Sequence, residues 1–441
     1  MSLIHMEVKI ILETGRVVKA GDLVYRQVGQ TTQSSFRYDT EYLKDPEAVA
    51  LCTAELPLHS PGKRKIYQTP KNRPSGLHRV FESCLPGRFA LGLLRKSFNL
   101  PASASPGEIL QFQGFSGTGA LGFISKQTTP EMADPNLEIV DAEFAEISET
   151  AQTMYHDPAQ YSRNNAYVRK LTNTSGSLDG HRPKFLGSFD DRRWVIKLPT
   201  VKDQTNFAAL EAASLRTAEE CGLFVPDHFV ASIDNQADPA LFVQRYDITA
   251  DNGRRIQQNA DALLRDYALK HDLSLQHSYE RLAHVTREMS TAPNLDLKRL
   301  FGLMVFNIGL GNKDDHSKNF EFLTVNRETR LSPVFDVLPN VYHVEQHSLA
   351  LTDADPQHRS QFTRQEILEM HDYFNLSLEE ATKILDTTCE KLVNWKSHAL
   401  RFQASELEAE QFQLQINKNI QQLCPKVKAL LEAKKTTSNI R

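Results

Sequence analysis

The sequence predicts an α+β protein with a strand-rich N-terminal half and a mainly α-helical C-terminal half. Three observations carry that expectation. Early runs of β-branched and aromatic residues are punctuated by glycine, as strands and turns require. Two further strand-like runs, "RRWVIKLPT" (192–200) and "ALFVQRYDI" (240–248), flank a segment of helical spacing, "NFAALEAASLRTAEECG" (206–222), that closes on Gly222. From about residue 255 long helical periodicities take over.

In chain order, "MEVKIIL", "DLVYRQV" and "SSFRYDTEYL" read as strands, with Gly15, Gly21 and Gly29 between or within them. "FESCLPGRFALGLLRKSF" reads as a short helical piece around Pro86–Gly87, and "GFSGTGALGFIS" (114–125) as a glycine-dense loop leading into a strand. The Pro- and Asp-containing "SKQTTPEMADPNLE" is the expected domain boundary. Helical patterns then cover 257–272, 276–289, 295–310, 364–373, 377–397 and 405–432. Ligands favour the cleft between halves of such different character.

The totals narrow the function. Of 441 residues 40% are hydrophobic and 24% charged, the balance of a globular protein rather than a disordered one. Lys plus Arg (51) against Asp plus Glu (55) leaves a net charge of −4, so no overall field draws the chain to nucleic acid or an anionic membrane. The five cysteines are scattered without a CxxC pair, which reads as reduced thiols in a cytoplasmic setting. No signal peptide is expected at the N-terminus, and no apolar window reaches about 18 residues, so no membrane span is expected.

One stretch stands apart. "LFGLMVFNIGL" ends a helix that is apolar nearly all round, and "GNKDDHSKNFEFL" (311–323) follows at once. Asp314 is followed five positions on by Asn319, and Asp336 lies between apolar neighbours in "LSPVFDVLP". A carboxylate in an apolar frame is costly unless paired or holding a cation. Kinases need this set: one Asp to orient or deprotonate the acceptor hydroxyl, then an Asn and a second Asp to hold Mg²⁺ against ATP phosphates. Lys197 in "VIKLP" is the natural strand lysine for phosphate, and Glu211 on the next helix is its expected partner. Each signal alone also suits a solvated loop, a turn or a strand end; their joint order separates the readings.

These residues resemble a known family. "GNKDDHSKNFEFL" with "LSPVFDVLP" is similar to the signature of the HipA-type serine/threonine kinases, the toxin halves of bacterial toxin–antitoxin pairs. The likeness extends to "ELPL", "FESCLPG" and "GTGALGF" in an N-terminal subdomain, and to "SLDGHRPKFL", "WVIKLP", "CGLFVPD" and "FVQRYDI". It implies a two-lobed, protein-kinase-like fold. Residues 1–135 would form the N-terminal subdomain, 136–248 the kinase N-lobe with phosphate loop and hinge, and 249–441 the helical C-lobe with the catalytic loop. It further implies Asp314 as catalytic base, Asn319 and Asp336 as Mg²⁺ ligands, and Lys197 on the ATP phosphates. His316, Lys318 and Phe335 would lie near the nucleotide, and Gln244, Arg245 and Tyr246 would form the hinge facing adenine. A phosphate loop containing Asp179, Gly180, His181, Arg182 and Lys184 would cover ATP, and Ser177 would be the autophosphorylated serine that switches the kinase off.

The implied substrates are proteins, aminoacyl-tRNA synthetases among them, and the implied partner is a HipB-like DNA-binding antitoxin. The chain departs from the family at Asp179, where a small residue is usual, and at Gln244, where an acidic residue is frequent. A carboxylate beside phosphate repels it unless turned away or metal-bound. Two other readings stand beside this one. A small-molecule phosphotransferase would share Asp-x4-Asn, but typically has His-Gly before the Asp, where this chain has Asn312 and Lys313. A catalytically silent kinase-fold module is favoured by Asp179 and opposed by the intact set Lys197, Asp314, Asn319 and Asp336.

Overall fold

A computed structural model describes residues 2–71, 73–157, 165–176, 178, 180–233, 239–355 and 359–438. The chain divides into two compact units. The first comprises residues 1–201, 244–269 and 322–329, and the second 202–243, 270–321 and 330–441.

The first unit is built on an antiparallel sheet of five strands in the order β4-β3-β2-β1-β5. These are β1 (Ser2–Ile11), β2 (Val17–Val28), β3 (Thr31–Tyr38), β4 (Tyr67–Gln68) and β5 (Leu121–Ile124). Alternation fixes its faces: Ile4, Met6, Val8 and Ile10 of β1 point into one core with Leu23, Tyr25, Phe36, Phe81 and Phe123. Each such side chain, fully buried, contributes about 1.5–3 kcal/mol. A bulge after Val8 shifts the β1–β2 register by one residue, opposite Ala20.

Helix and strand limits differ from the sequence reading where a polar cap intervenes. "SSFRYDTEYL" is strand only to Tyr38; Asp39 then accepts from the Glu41 N–H and starts the helix Thr40–Lys44. The Pro86–Gly87 step splits its segment into two helices, Arg79–Glu82 and Arg88–Phe98. The start of the expected helix 257–272 is the strand Ile256–Asn259, and the Asn259 side chain then caps the helix Ala260–Lys270 by accepting from the Ala262 N–H.

In the same unit β6 (Ile139–Val140) runs parallel to β7 (Lys184–Phe189), which pairs antiparallel with β8 (Arg192–Lys197). The boundary expected near 125–138 falls inside this unit.

The second unit is mainly helical. Its longest described helices are Pro293–Leu310 and Glu406–Leu423. Pro293 opens the former at a position where no N–H is needed, and its second half, residues 301–310, is buried throughout, as its sequence implies. Neighbours approach it closely at glycine: a Cβ on Gly309 would lie 2.7 Å from a Leu392 methyl. Ser377 with Glu380, and Ser405 with Glu408, form capping boxes at the starts of two later helices.

A hairpin the helical reading missed, Glu321–Val325 and Glu328–Leu331, follows the polar cluster. Its turn residues Asn326 and Arg327 both have positive φ (47° and 68°), the geometry of a two-residue hairpin turn.

Candidate functional site

The expected phosphate loop lies in the first unit. Asn165 caps the helix Ala166–Ser175 by accepting from the Tyr167 and Val168 N–H groups. Its last residue, Ser175, is buried and donates from Oγ to the Lys184 carbonyl at 2.8 Å. The next residue, Gly176, donates its N–H to Ser116 Oγ at 2.9 Å, and a Cβ there would come within 2.2 Å of that oxygen. Ser177 and Asp179 lie outside the described residues. Gly180 has φ +98°, a conformation open to glycine, and its carbonyl accepts from the Phe89 N–H at 3.2 Å. His181 is exposed and Arg182 partly so.

Lys184 and Lys197 are directly opposed on β7 and β8. Opposed residues share a face, so the two ammonium-bearing chains leave the sheet side by side. Lys184 is buried, and its Nζ would lie 2.8 Å from a Cβ on Gly180. Like charges so placed repel.

The residues expected at the hinge divide in two. Gln244 and Tyr246 are partly exposed, whereas the Arg245 side chain is fully buried. Arg245 donates Nε and Nη2 to Asp247 at 3.0 and 2.8 Å, and Nη1 to Glu138 at 2.9 Å; its N–H goes to the Arg193 carbonyl. The side chain and the N–H of Arg245 are thus both committed within this unit. Asp247 also accepts from the Gly119 N–H at 2.8 Å, so the glycine-rich loop "GTGALGF" is tied to the segment that follows Arg245. Burial alone raises the Asp247 carboxyl, but Arg245, Arg254 and that N–H outweigh it and hold it down at about 2. Burial raises Glu138, with Arg245 and Arg193 acting against the rise.

The acidic set lies in the second unit. The helix Pro293–Leu310 stops at Gly311 (φ 78°), and the Asn312 N–H closes its end on the Asn307 carbonyl at 2.8 Å. The two adjacent aspartates then take opposite roles. Asp315 is fully buried: it accepts from the Tyr279 hydroxyl at 2.7 Å and the Ser348 N–H at 2.9 Å, with His347 Nδ1 at 3.5 Å. Tyr279 in turn accepts from Asn307 Nδ2 at 3.2 Å, and Asn307 Oδ1 accepts from Asn312 at 3.1 Å. Burial, then the Asp315 carboxylate, pushes the Tyr279 hydroxyl well above its ordinary pKa, so it remains a donor.

Asp314, by contrast, leaves 52% of its side chain exposed. Its carbonyl accepts from Asn319 Nδ2 at 2.9 Å, and His316 Nε2 lies 4.0 Å from its carboxylate. The structure therefore brings Asp314, His316 and Asn319 together, with Lys318 exposed beside them. The Asn319 nitrogen is spent on the Asp314 carbonyl, so Oδ1 is the side-chain atom with acceptor character.

Asp336 is reached through the segment leaving the hairpin. Buried Asp296 anchors that strand, accepting from both Arg330 donors (2.9 and 2.8 Å) and the Leu331 N–H (3.0 Å). The Ser332 N–H bonds the Glu321 carbonyl, two residues past Asn319, and the Val334 N–H bonds the Phe224 carbonyl. Phe335 and Asp336 follow, both partly buried. Asp336 has φ +52°, a left-handed conformation that costs a non-glycine residue of order 1 kcal/mol and clusters at functional sites. Glu211 is buried on the helix Phe207–Glu220 of this unit.

Sequence reasoning missed Asp315 and Tyr279, because adjacent aspartates look alike and the tyrosine is 36 positions away. Tyr279→Phe is expected to lower stability by about 1.5–3 kcal/mol, the range for a hydrogen bond to a charged group. Urea unfolding of the variant checks this; an unchanged midpoint would contradict it.

Among the described residues no group of three or more His, Cys, Asp or Glu is placed to hold a metal, and no helix is long and apolar enough to cross a membrane. Asn319 and Asp336 each offer side-chain oxygen, the donor type that Mg²⁺ takes together with water and phosphate.

Comparison with known proteins accords with these features. A family model described as HipA-like C-terminal domain matches residues 176–396, and one described as HipA N-terminal domain matches residues 16–124. Two proteins of Sinorhizobium fredii named as inferred kinases are similar over part of their length. Y4mE is 29% identical over 136 residues, 30% of this chain and 32% of that protein. Y4dM is 26% identical over 163 residues, 34% and 38% respectively. The chain thus spans about a third of the length of these relatives.

Among solved structures, the Shewanella oneidensis MR-1 toxin–antitoxin complex of HipA, HipB and operator DNA contains a chain similar to this one. The TM-score is 0.66 at 14% identity, covering 94% of this chain and 96% of that one. At that identity the likeness speaks for the fold.

Proposed function

The chain belongs to the HipA family, and from that premise we propose that it is an ATP- and Mg²⁺-dependent serine/threonine protein kinase. The observation that carries the reading is the division of labour in "KDDHSKN": Asp315 is locked inside, while Asp314 is presented outward with Asn319 bonded to its backbone. Asp314 would accept the proton of a serine or threonine hydroxyl as that oxygen bonds the γ-phosphorus and the bond to ADP breaks. Asn319 Oδ1 and the Asp336 carboxylate would hold Mg²⁺, which supplies positive charge to the phosphates when bound. Lys184 and Lys197 would neutralise phosphate charge, and Gln244 with Tyr246 would line the base.

Autophosphorylation would fall on Ser177. In support, Ser175 has its hydroxyl buried and committed to the Lys184 carbonyl, so the neighbouring serine is the better acceptor. A phosphoserine adds close to two negative charges, enough to compete with ATP for Lys184 and Lys197. A growth-arresting toxin role, a HipB-like antitoxin partner and an aminoacyl-tRNA synthetase substrate belong to the same proposal. Support for the partner is the fold shared with a protein solved in complex with HipB.

Incubation with γ-labelled ATP and Mg²⁺ tests the reading. Label is expected on the protein itself and lost in Ser177→Ala, which should still label other proteins of a cell extract. A wild-type protein that neither binds ATP nor labels itself or any extract protein would overturn it and leave the silent-module reading.

A further inference from the structure

Residues 339–348 lie against the segment that carries Asp314. Their C-terminal end is fastened to it at several points. Lys313, the residue before Asp314, donates Nζ to the Glu345 carbonyl at 2.7 Å. The Ser348 N–H and Oγ meet the Lys313 carbonyl at 3.1 and 3.0 Å, and the same N–H meets Asp315 at 2.9 Å.

The stretch before it is closed by one side chain. Asn340 donates Nδ2 to the Val344 carbonyl at 2.8 Å and accepts the Val344 N–H at 2.9 Å. That clamp, with His343 at φ +53°, pushes apolar residues outward: Tyr342 is 49% exposed and Val344 40%. The Tyr342 ring rests against Phe207, 5.6 Å between centroids. A small loop held this firmly, yet showing an aromatic and a β-branched side chain to solvent, has the makings of a docking surface.

Resting on the kinase reading above, we propose that residues 341–344 are the platform for the acceptor, and that the acceptor is an extended polypeptide segment with an apolar residue a few positions from its serine or threonine. Continuity with the catalytic loop selects this occupant. A hydroxyl within hydrogen-bond reach of Asp314 has its chain neighbours passing the Lys313–Glu345 contact. Lys313 adjoins Asp314 and Glu345 adjoins Val344, so one lysine side chain bridges the two positions, a span on the scale of the roughly 13 Å that four extended residues cover. A small hydroxylated molecule satisfied at Asp314 would leave this apolar pair uncovered.

The test uses the full chain, γ-labelled ATP with Mg²⁺, and a library of serine and threonine peptides with randomised flanks. Selected peptides should be enriched in apolar residues within about four positions on one side of the acceptor. For such a peptide, Tyr342→Ser with Val344→Ser should raise KM by about tenfold, the effect of truncating an apolar anchor, while Tyr342→Phe stays near wild type. ATP affinity and the melting curve of the double variant report whether it has folded. Transfer to peptides without apolar preference, or an unchanged peptide KM in the folded double variant, overturns the platform and leaves the kinase reading standing. Absence of transfer to any peptide or protein, with no ATP consumed, overturns both.

Discussion

Asp314→Gln is expected to lower phosphoryl transfer by about 10²–10⁴-fold, the usual contribution of a positioned general base, while ATP binding persists. The substitution leaves the backbone carbonyl that Asn319 holds and replaces the carboxylate with a neutral amide, one methylene longer, that cannot take the proton. Because the side chain is half exposed, little stability should be lost. Initial rates with a protein acceptor, beside calorimetric ATP titration, separate the two effects. Asp315→Asn makes the useful contrast: its buried carboxylate holds Tyr279 and Ser348, so its loss should appear in stability as well as rate. Equal rate losses for Asp314→Gln and Asp315→Asn, with equal stability losses, would contradict the assignment.

The second large effect is structural. Asp247→Ala should destabilise the protein by about 3–5 kcal/mol, because it leaves Arg245 buried with one of its two carboxylate partners gone and frees the Gly119 N–H. Denaturant midpoints measure it, and a change below about 1 kcal/mol would refute it. The same carboxylate gives a pH signature. Its folded pKa of about 2 lies below the ordinary value near 3.9, so its stabilising contribution is complete above about pH 4 and is lost as pH falls through 2. Two units of depression correspond to about 2–3 kcal/mol. Asp247→Asn should show a correspondingly shallower acid limb between pH 4 and 2.

The Asp247 network also marks the limit of what sequence alone could tell. Arg245 sits in "FVQRYDI" beside residues expected at the hinge, and nothing in that string says its side chain turns inward to Glu138, 107 positions earlier. Local signals fared better. The alternation in "MEVKIIL", the all-apolar face of "LFGLMVFNIGL" and its stop at Gly311 depend on near neighbours, and the structure has the strand and the buried helix there. The hairpin after Asn319 was hidden because its strands are short and its turn is Asn-Arg rather than Asn-Gly. For the site, the pattern Asp-x4-Asn singled out Asp314 and Asn319, and the structure joins them through one hydrogen bond. Which of the two adjacent aspartates faces outward depends on Tyr279 and Ser348, both remote in sequence, and so needed coordinates.

A crystal structure with a non-hydrolysable ATP analogue and Mg²⁺ is the most direct test of the central claim. The account predicts metal–oxygen distances of about 2.1 Å to Asn319 Oδ1 and the Asp336 carboxylate, with the phosphates on Lys197 and the terminal phosphate turned toward Asp314. Nucleotide bound elsewhere, or a metal that touches neither Asn319 nor Asp336, would contradict it.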